Sequence, residues 1–198
     1  LPPNAPEPYN SDGSLNWEPN ESGTTTYPNN PLAPFKNSYK NKTNTLTSSA
    51  SLSYSIIKGL DIKSNFGFTK LNSDQVVLYP TSSQKPENLI YVKGASSFSS
   101  NNSTSWIIEP QLTFNQNINR GKLEFMLGTT LQKTTSEDQA SFGTNYISDL
   151  LIGDLKSAPD VLVTQFNNVI YKYNALYGRL NFNWANKYII NLTARRDG

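Results

Sequence analysis

The stretch YGRLNFNWANKYIINLTARRDG, residues 177–198, decides the fold. Leu180, Phe182 and Trp184 alternate with Arg179, Asn181 and Asn183. Ala185-Asn186-Lys187 interrupts, and then Tyr188, Ile190 and Leu192 alternate with Ile189, Asn191 and Thr193. Side chains two apart share one face of a strand, whereas a helix needs spacings of three and four. The stretch therefore reads as two strands joined by a tight turn, closing on the charged run Arg195-Arg196-Asp197-Gly198. Which face meets water is the question that fixes what such a hairpin is for.

The same pattern recurs twice upstream. Leu46, Ala50, Leu52 and Tyr54 alternate with small polar residues, and Leu60, Ile62, Phe66 and Phe68 follow a short turn at Ile57-Lys58-Gly59. Trp106, Ile108, Leu112 and Phe114 oppose Glu109, Gln111, Thr113 and Asn115; Leu123, Phe125, Leu127 and Leu131 oppose Glu124, Gly128 and Thr130. Pro110 falls on the apolar parity, as at an edge or a bulge. Six strands are expected, at about 45–56, 60–70, 105–115, 122–135, 169–184 and 188–196. Turns within hairpins are short, while the connections 71–104 and 136–168 are long for a compact domain. Within the second, Ile147, Leu150, Leu151 and Leu155 fall at helical spacing, so a short amphipathic loop helix is expected over 145–156, capped by Thr144 or Asn145. Residues 1–44 hold 8 of the 12 prolines and show no period, as an irregular loop segment would.

Composition narrows the class. The 198 residues are 36% hydrophobic and only 16% charged, with a net charge of +2. A disordered chain would lack the 11 Tyr, 9 Phe and 3 Trp found here. No basic run suggests nucleic acid as a partner. With neither Cys nor His, disulfides, thiolate nucleophiles, Cys/His metal sites and the usual neutral-pH base are all excluded. No cofactor is expected. The longest apolar runs are far below the ~20 residues of a membrane helix.

Alternation alone fits either a soluble β-sandwich that binds glycans or a wall of strands facing lipid. Strand length, with short turns at one end and long loops at the other, favours an outer-membrane barrel. So does the placing of Trp106, Phe114, Trp184 and Tyr188 towards strand ends, where an aromatic girdle would sit. Six strands cannot close such a barrel, and an open sheet edge is not viable in lipid. The chain therefore reads as a fragment whose remaining strands lie outside it.

Particular residues then resemble a known family. Leu1-Pro2-Pro3-Asn4-Ala5-Pro6, Asp12-Gly13-Ser14-Leu15-Asn16-Trp17 and Asn30-Pro31-Leu32-Ala33 resemble a stretch of the SusC/RagA family of TonB-linked outer-membrane proteins. Tyr54-Ser55-Ile56-Ile57-Lys58-Gly59-Leu60 and Trp106-Ile107-Ile108-Glu109-Pro110 are similar to a hairpin and a strand of that family. Gly178-Arg179-Leu180-Asn181, Lys187-Tyr188 and Arg195-Arg196-Asp197-Gly198 resemble its closing motifs, in the same order. Phe182-Asn183-Trp184 departs from the Tyr-rich version but keeps the aromatic parity. The resemblance implies an all-β fold: antiparallel up-and-down strands forming part of a large transmembrane β-barrel, with long extracellular loops. It implies import of oligosaccharides or peptides across the outer membrane of a Gram-negative bacterium, with TonB and a SusD-like surface lipoprotein lid as partners. The plug and the TonB-contacting segment are expected outside these residues.

On that reading Glu109, Glu124, Arg179, Arg195 and Asp197 face the lumen or the plug, while Arg196 shares the parity of Ile190 and Leu192 and snorkels to the membrane interface. Arg195 and Asp197 would mark the outer rim. Loop aromatics Trp17, Tyr27, Tyr79, Tyr91, Phe142 and Tyr146 are the candidate substrate or lid contacts, since ring faces pack on sugar C–H surfaces and anchor protein interfaces. Glu109 and Glu124 could pair as glycosidase carboxylates only if adjacent; lumen-facing charges are the commoner explanation, and no catalysis or metal site is expected.

Overall fold

A computed structural model describes residues 6–17, 30–90 and 93–198. Six strands form one sheet in the order β1-β2-β3-β4-β5-β6. They are β1 (Ser38–Ile57), β2 (Leu60–Tyr79), β3 (Gly94–Ile118), β4 (Gly121–Tyr146), β5 (Asp160–Trp184) and β6 (Tyr188–Asp197). Each strand is hydrogen-bonded to its neighbour in sequence, the up-and-down topology that alternation with short turns dictates.

The strands outrun the period-two pattern. Five of them have 20 to 26 residues, about twice the 9–11 that cross a bilayer. The connections shrink accordingly to residues 80–93 and 147–159. The amphipathic helix expected over 145–156 does not form. Two single turns of 3-10 helix stand there instead, Asp149–Leu151 and Leu155–Ser157. Ser148 and Asp154 cap them by accepting hydrogen bonds from the backbone N–H of Leu150 and Lys156, and such local bonds favour turns over continuous helix.

The chain divides into two compact units. One comprises Asn44–Asn72, Asn102–Glu137 and Asn168–Gly198. It holds the three tight turns, and Ala175 is its only buried apolar residue. Leu52, Phe66, Trp106, Leu127, Leu176 and Leu192 are all exposed. A sandwich would bury these residues under a second sheet; the described residues contain one sheet, which overturns the sandwich alternative.

Register in this unit bears out the parity reading of 177–198. Leu180 pairs with Leu192, Phe182 with Ile190 and Trp184 with Tyr188 on one face. Tyr177 pairs with Arg195, Arg179 with Thr193 and Asn181 with Asn191 on the other. The turn takes positive φ at Ala185 and Asn186, and Asn183 holds it by accepting from the Asn186 N–H at 3.1 Å. Two turn glycines let successive hairpins touch. Gly59, at φ +87, lies where a Cβ would strike the Asn115 carbonyl, and its own carbonyl accepts from Asn115 N–H at 2.7 Å. A Cβ on Gly121 would lie 2.8 Å from the Trp184 ring.

The other unit comprises Leu1–Thr43, Ser73–Asn101 and Asp138–Asn167. Here there is a small core of Leu15, Ala95, Tyr146 and Ile152. Ile152, rather than the helical stripe expected from spacing, anchors the loop after β4, while Ile147 and Leu150 are 84% and 93% exposed.

Candidate functional site

The outer-loop unit builds a concave site from a chain of buried amides. Gly13, at φ +80, turns residues 6–17 back on themselves, so that Tyr9 bridges to Leu15. Asp12 accepts from the Ser14 hydroxyl at 2.6 Å and its backbone N–H at 2.8 Å. Those two bonds hold the Asp12 carboxyl below the ordinary 3.8. Asn16 donates to the Glu7 carbonyl at 2.8 Å. Asn30, 1% exposed, donates to the carbonyls of Pro8 and Asn16 at 3.0 and 3.1 Å and accepts from Leu32 N–H at 2.9 Å. A buried amide with three bonds to backbone fixes this irregular segment as a sheet ladder would fix a strand.

Across from it, β2 and β4 supply Tyr79 and Phe142, whose rings lie 6.2 Å apart at 57°. Asp149 joins two loops by accepting from the Thr81 N–H at 3.0 and 3.1 Å and from its hydroxyl at 2.7 Å. Gln84 donates to the Lys93 carbonyl at 2.7 Å. Between these walls lies a cavity of 680 Å³, within the range of small-ligand sites. Trp17, Tyr79 and Phe142 line it with the amides of Asn30, Asn37 and Gln84. The Asn37 side-chain oxygen is enclosed and has no partner among the described residues, so it lacks a donor.

Three of the six loop aromatics expected from sequence thus meet at one cavity. Tyr146 does not join them: it is 1% exposed, sharing a 2.6 Å hydrogen bond with the Ser96 hydroxyl. Its role is in the packing of this unit. Tyr27 and Tyr91 lie outside the described residues. Asn30 stands out in the sequence only as part of a family-like stretch, and Asn37 and Gln84 carry no sequence signal, because a buried amide looks the same in sequence as the many exposed ones here.

In the turn-bearing unit the polar residues are tied in a network. Arg195 Nε and Asp197 Oδ1 are 2.8 Å apart. Tyr173 donates to Asp197 at 2.5 Å and accepts from Arg195 Nη2 at 2.5 Å. The Arg195 guanidinium also stands 5.9 Å from the centre of the Tyr177 ring, and the Tyr177 hydroxyl accepts from Gln111 at 2.9 Å. Gly128 makes room, since a Cβ there would lie 2.6 Å from that ring. The tyrosines and Gln111 were not singled out in the sequence, although Tyr173 and Tyr177 share the parity of Arg179. Residues 160–174 of β5 continue beyond the Arg195–Asp197 pair, so that pair lies partway along β5 and not at its outer end.

Glu109 accepts from Thr130 at 3.4 Å, and Glu124 pairs with Lys122 at 2.5 Å. Glu124 lies six residues along β4 from Thr130, about 20 Å at strand rise. That is well beyond the 5–9.5 Å of a glycosidase pair. Glu124 and Arg179 line one shallow groove. Of the girdle residues, Trp184 pairs with Tyr188 at the turn and its ring lies 6.1 Å from Phe182; Trp106 is exposed and Phe114 half-buried. Among the described residues no group of acidic side chains could hold a metal ion.

The comparisons with known proteins agree with this geometry. No family model matches the chain. It is 30% identical over 197 residues to TonB-dependent receptor P3 of Formosa agariphila, covering 96% of this chain and 18% of that protein. Over nearly its whole length the chain is thus similar to part of a TonB-dependent receptor. Among solved structures, the RagAB peptide transporter superposes with a TM-score of 0.77 at 16% identity, over 96% of this chain and 21% of that one. The RagAB peptide importer in the 'open-open' and 'closed-closed' states gives 0.73 in each case. The chain spans about a fifth of the length of these relatives. Over that span its all-β up-and-down sheet has the fold of a TonB-dependent receptor barrel wall, and the sheet is not closed within these residues.

Proposed function

We propose that the chain forms part of the wall and outer loops of a TonB-dependent importer in the outer membrane of a Gram-negative bacterium. The imported substrate is an oligosaccharide or a peptide, and a SusD-like surface lipoprotein lid covers the outer opening. TonB would act through parts of the receptor other than these strands. The observation that carries this reading is the sheet of the turn-bearing unit. One of its faces carries a continuous stripe of exposed Leu, Ile, Phe and Trp, and Ala175 is its only buried apolar residue. Such a run of exposed large apolar side chains on one face is stable where the solvent is itself apolar. The opposite face carries polar and charged groups satisfied by one another, as a watered lumen requires.

The cavity of the outer-loop unit is the proposed substrate contact. Trp17, Tyr79 and Phe142 offer ring faces, and Asn37 and Gln84 offer amides, with buried Asn30 fixing the wall behind them. Both sugars and peptides present C–H surfaces together with N–H or O–H donors that such a lining accepts. The relatives described as peptide transporters support the peptide class. The test is uptake by cells carrying the intact receptor, with panels of oligopeptides and oligosaccharides, for wild type and Trp17→Ala/Phe142→Ala. Uptake of one class, lost in the variant with surface abundance unchanged, is the expected result. Unchanged uptake in the variant would remove the cavity from the transport path.

A further inference from the structure

The apolar face of the sheet ends in a second feature. Along β2, within the turn-bearing unit, the last apolar residue of its parity is Phe68, and Lys70 follows. Along β4 it is Leu131, followed by Lys133. Along β5, Leu176 gives way to Asn174 and then Lys172; along β6, Leu192 gives way to Ala194 and then Arg196. Four strands thus place a cation one or two steps beyond the apolar residues that run out from the tight turns, and on β5 Ile170 resumes the parity beyond Lys172. The side-chain pairs Ser103–Ser136 and Ser105–Thr134 set the register of β3 against β4. That register puts Lys133 opposite Trp106. Arg196 stands opposite Leu176.

None of these four cations forms an ion pair with an acid among the described residues. On the polar face two cations do find acids, Lys122 with Glu124 and Arg195 with Asp197. On the apolar parity of this unit the single acid is Glu137, four residues further out than Lys133. At the turn end the same parity finishes on Trp184 and Tyr188, and the cations Lys58, Arg120 and Lys187 lie in the turns themselves. Lys and Arg keep their charge in water while their stems lie along apolar surface. Unpaired cations at the border of an apolar stripe, next to an interfacial Trp, therefore call for anions supplied from outside the protein.

We propose that Lys70, Lys133, Lys172 and Arg196 form a belt that binds the phosphate groups of anionic lipid in the outer leaflet. The proposal rests on the reading that this face meets lipid, and the experiment separates the two. Benzoylphenylalanine is placed at Leu131, beside the belt, or at Leu123, towards the turns, in the intact receptor. The receptor is reconstituted in vesicles of equal parts phosphatidylcholine and phosphatidylglycerol, illuminated, and the lipid adducts are weighed by mass spectrometry. A cation near an anionic lipid surface is worth about a five-fold preference. The probe at Leu131 should thus capture the anionic lipid about three- to five-fold over the zwitterionic one. The probe at Leu123 should capture both equally, and K70Q/K133Q/K172Q/R196Q should abolish the preference at Leu131. K133Q alone should weaken it and K133R restore it, which keeps the test open if the fourfold variant does not fold. Lipid adducts at both positions with no preference, or a preference that survives the substitutions, overturn the belt. Absence of lipid adducts at both positions overturns the reading of the face and the belt with it.

Discussion

Gly128 and Tyr177 are packed so closely that adding one methyl group should have a measurable and reversible cost. In Gly128→Ala the new Cβ would lie 2.6 Å from two ring carbons of Tyr177 and 2.7 Å from its hydroxyl. Both backbones belong to sheet ladders, so the ring must swing away. It would then lose the Gln111 hydrogen bond, worth about 1 kcal/mol, and its place beneath Arg195, worth roughly 0.5–1 kcal/mol at a wet surface. The expected local loss is about 2 kcal/mol, or roughly 30-fold faster amide exchange in the segments around 128 and 177 where reclosing is fast and the opening equilibrium sets exchange. Hydrogen exchange read by mass spectrometry on the intact receptor in detergent measures it. Tyr177→Ala alone gives up the same two contacts, and adding Gly128→Ala to it should cost almost nothing further, because the clash has gone. An additive double variant, or an unperturbed Gly128→Ala, would refute the idea that this glycine exists to seat the ring.

Other outcomes follow from the outer-loop unit. Asp149→Ala leaves the Thr81 N–H and hydroxyl without their shared acceptor; it should cost about 1–3 kcal/mol locally and expose residues 80–93 to protease. Asn30→Ala removes the donor shared by Pro8 and Asn16, and limited proteolysis should then cut within residues 6–17 while strands β3 and β4 stay protected. The Asp12 carboxyl is held below its ordinary 3.8 by Ser14, so its contribution to order in residues 6–17 is complete above that value. That contribution should fade as the pH falls through the lowered value; Ser14→Ala, which removes the hydroxyl and leaves the backbone N–H, should move the titration, followed by carboxyl-carbon NMR, part of the way back towards the ordinary range.

The parity of the closing hairpin was legible because one face of it is apolar throughout and the other is not. Leu180, Phe182 and Trp184 pair across the sheet with the residues that alternation assigns to the same face. Strand length was not legible in the same way. Residues 95–105 of β3, ASSFSSNNSTS, are small or polar at both parities apart from Phe98, which leaves no hydrophobic period to read. The loop after β4 misled for the opposite reason. Ile147, Leu150 and Leu151 mimic a helical stripe, yet local caps from Ser148 and Asp154 break it into turns that bury Ile152 instead. Trp17, Tyr79 and Phe142 were noticed as loop aromatics, but their meeting at one cavity depends on buried Asn30, whose partners lie up to 22 residues away. The Tyr173–Arg195–Asp197 cluster needed the register of β5 against β6, since neither tyrosine is near Arg195 in sequence.

The central claim is that alternate residues of these strands face lipid and water. Nitroxides placed singly along residues 123–131 of β4, in the intact receptor in vesicles, test it directly by their collision rates with oxygen and with a water-soluble nickel complex. Labels at Leu123, Phe125, Leu127 and Leu131 should favour oxygen, and labels at Glu124, Thr130 and their parity should favour nickel, giving a period of two. Equal access to nickel at both parities would contradict the account.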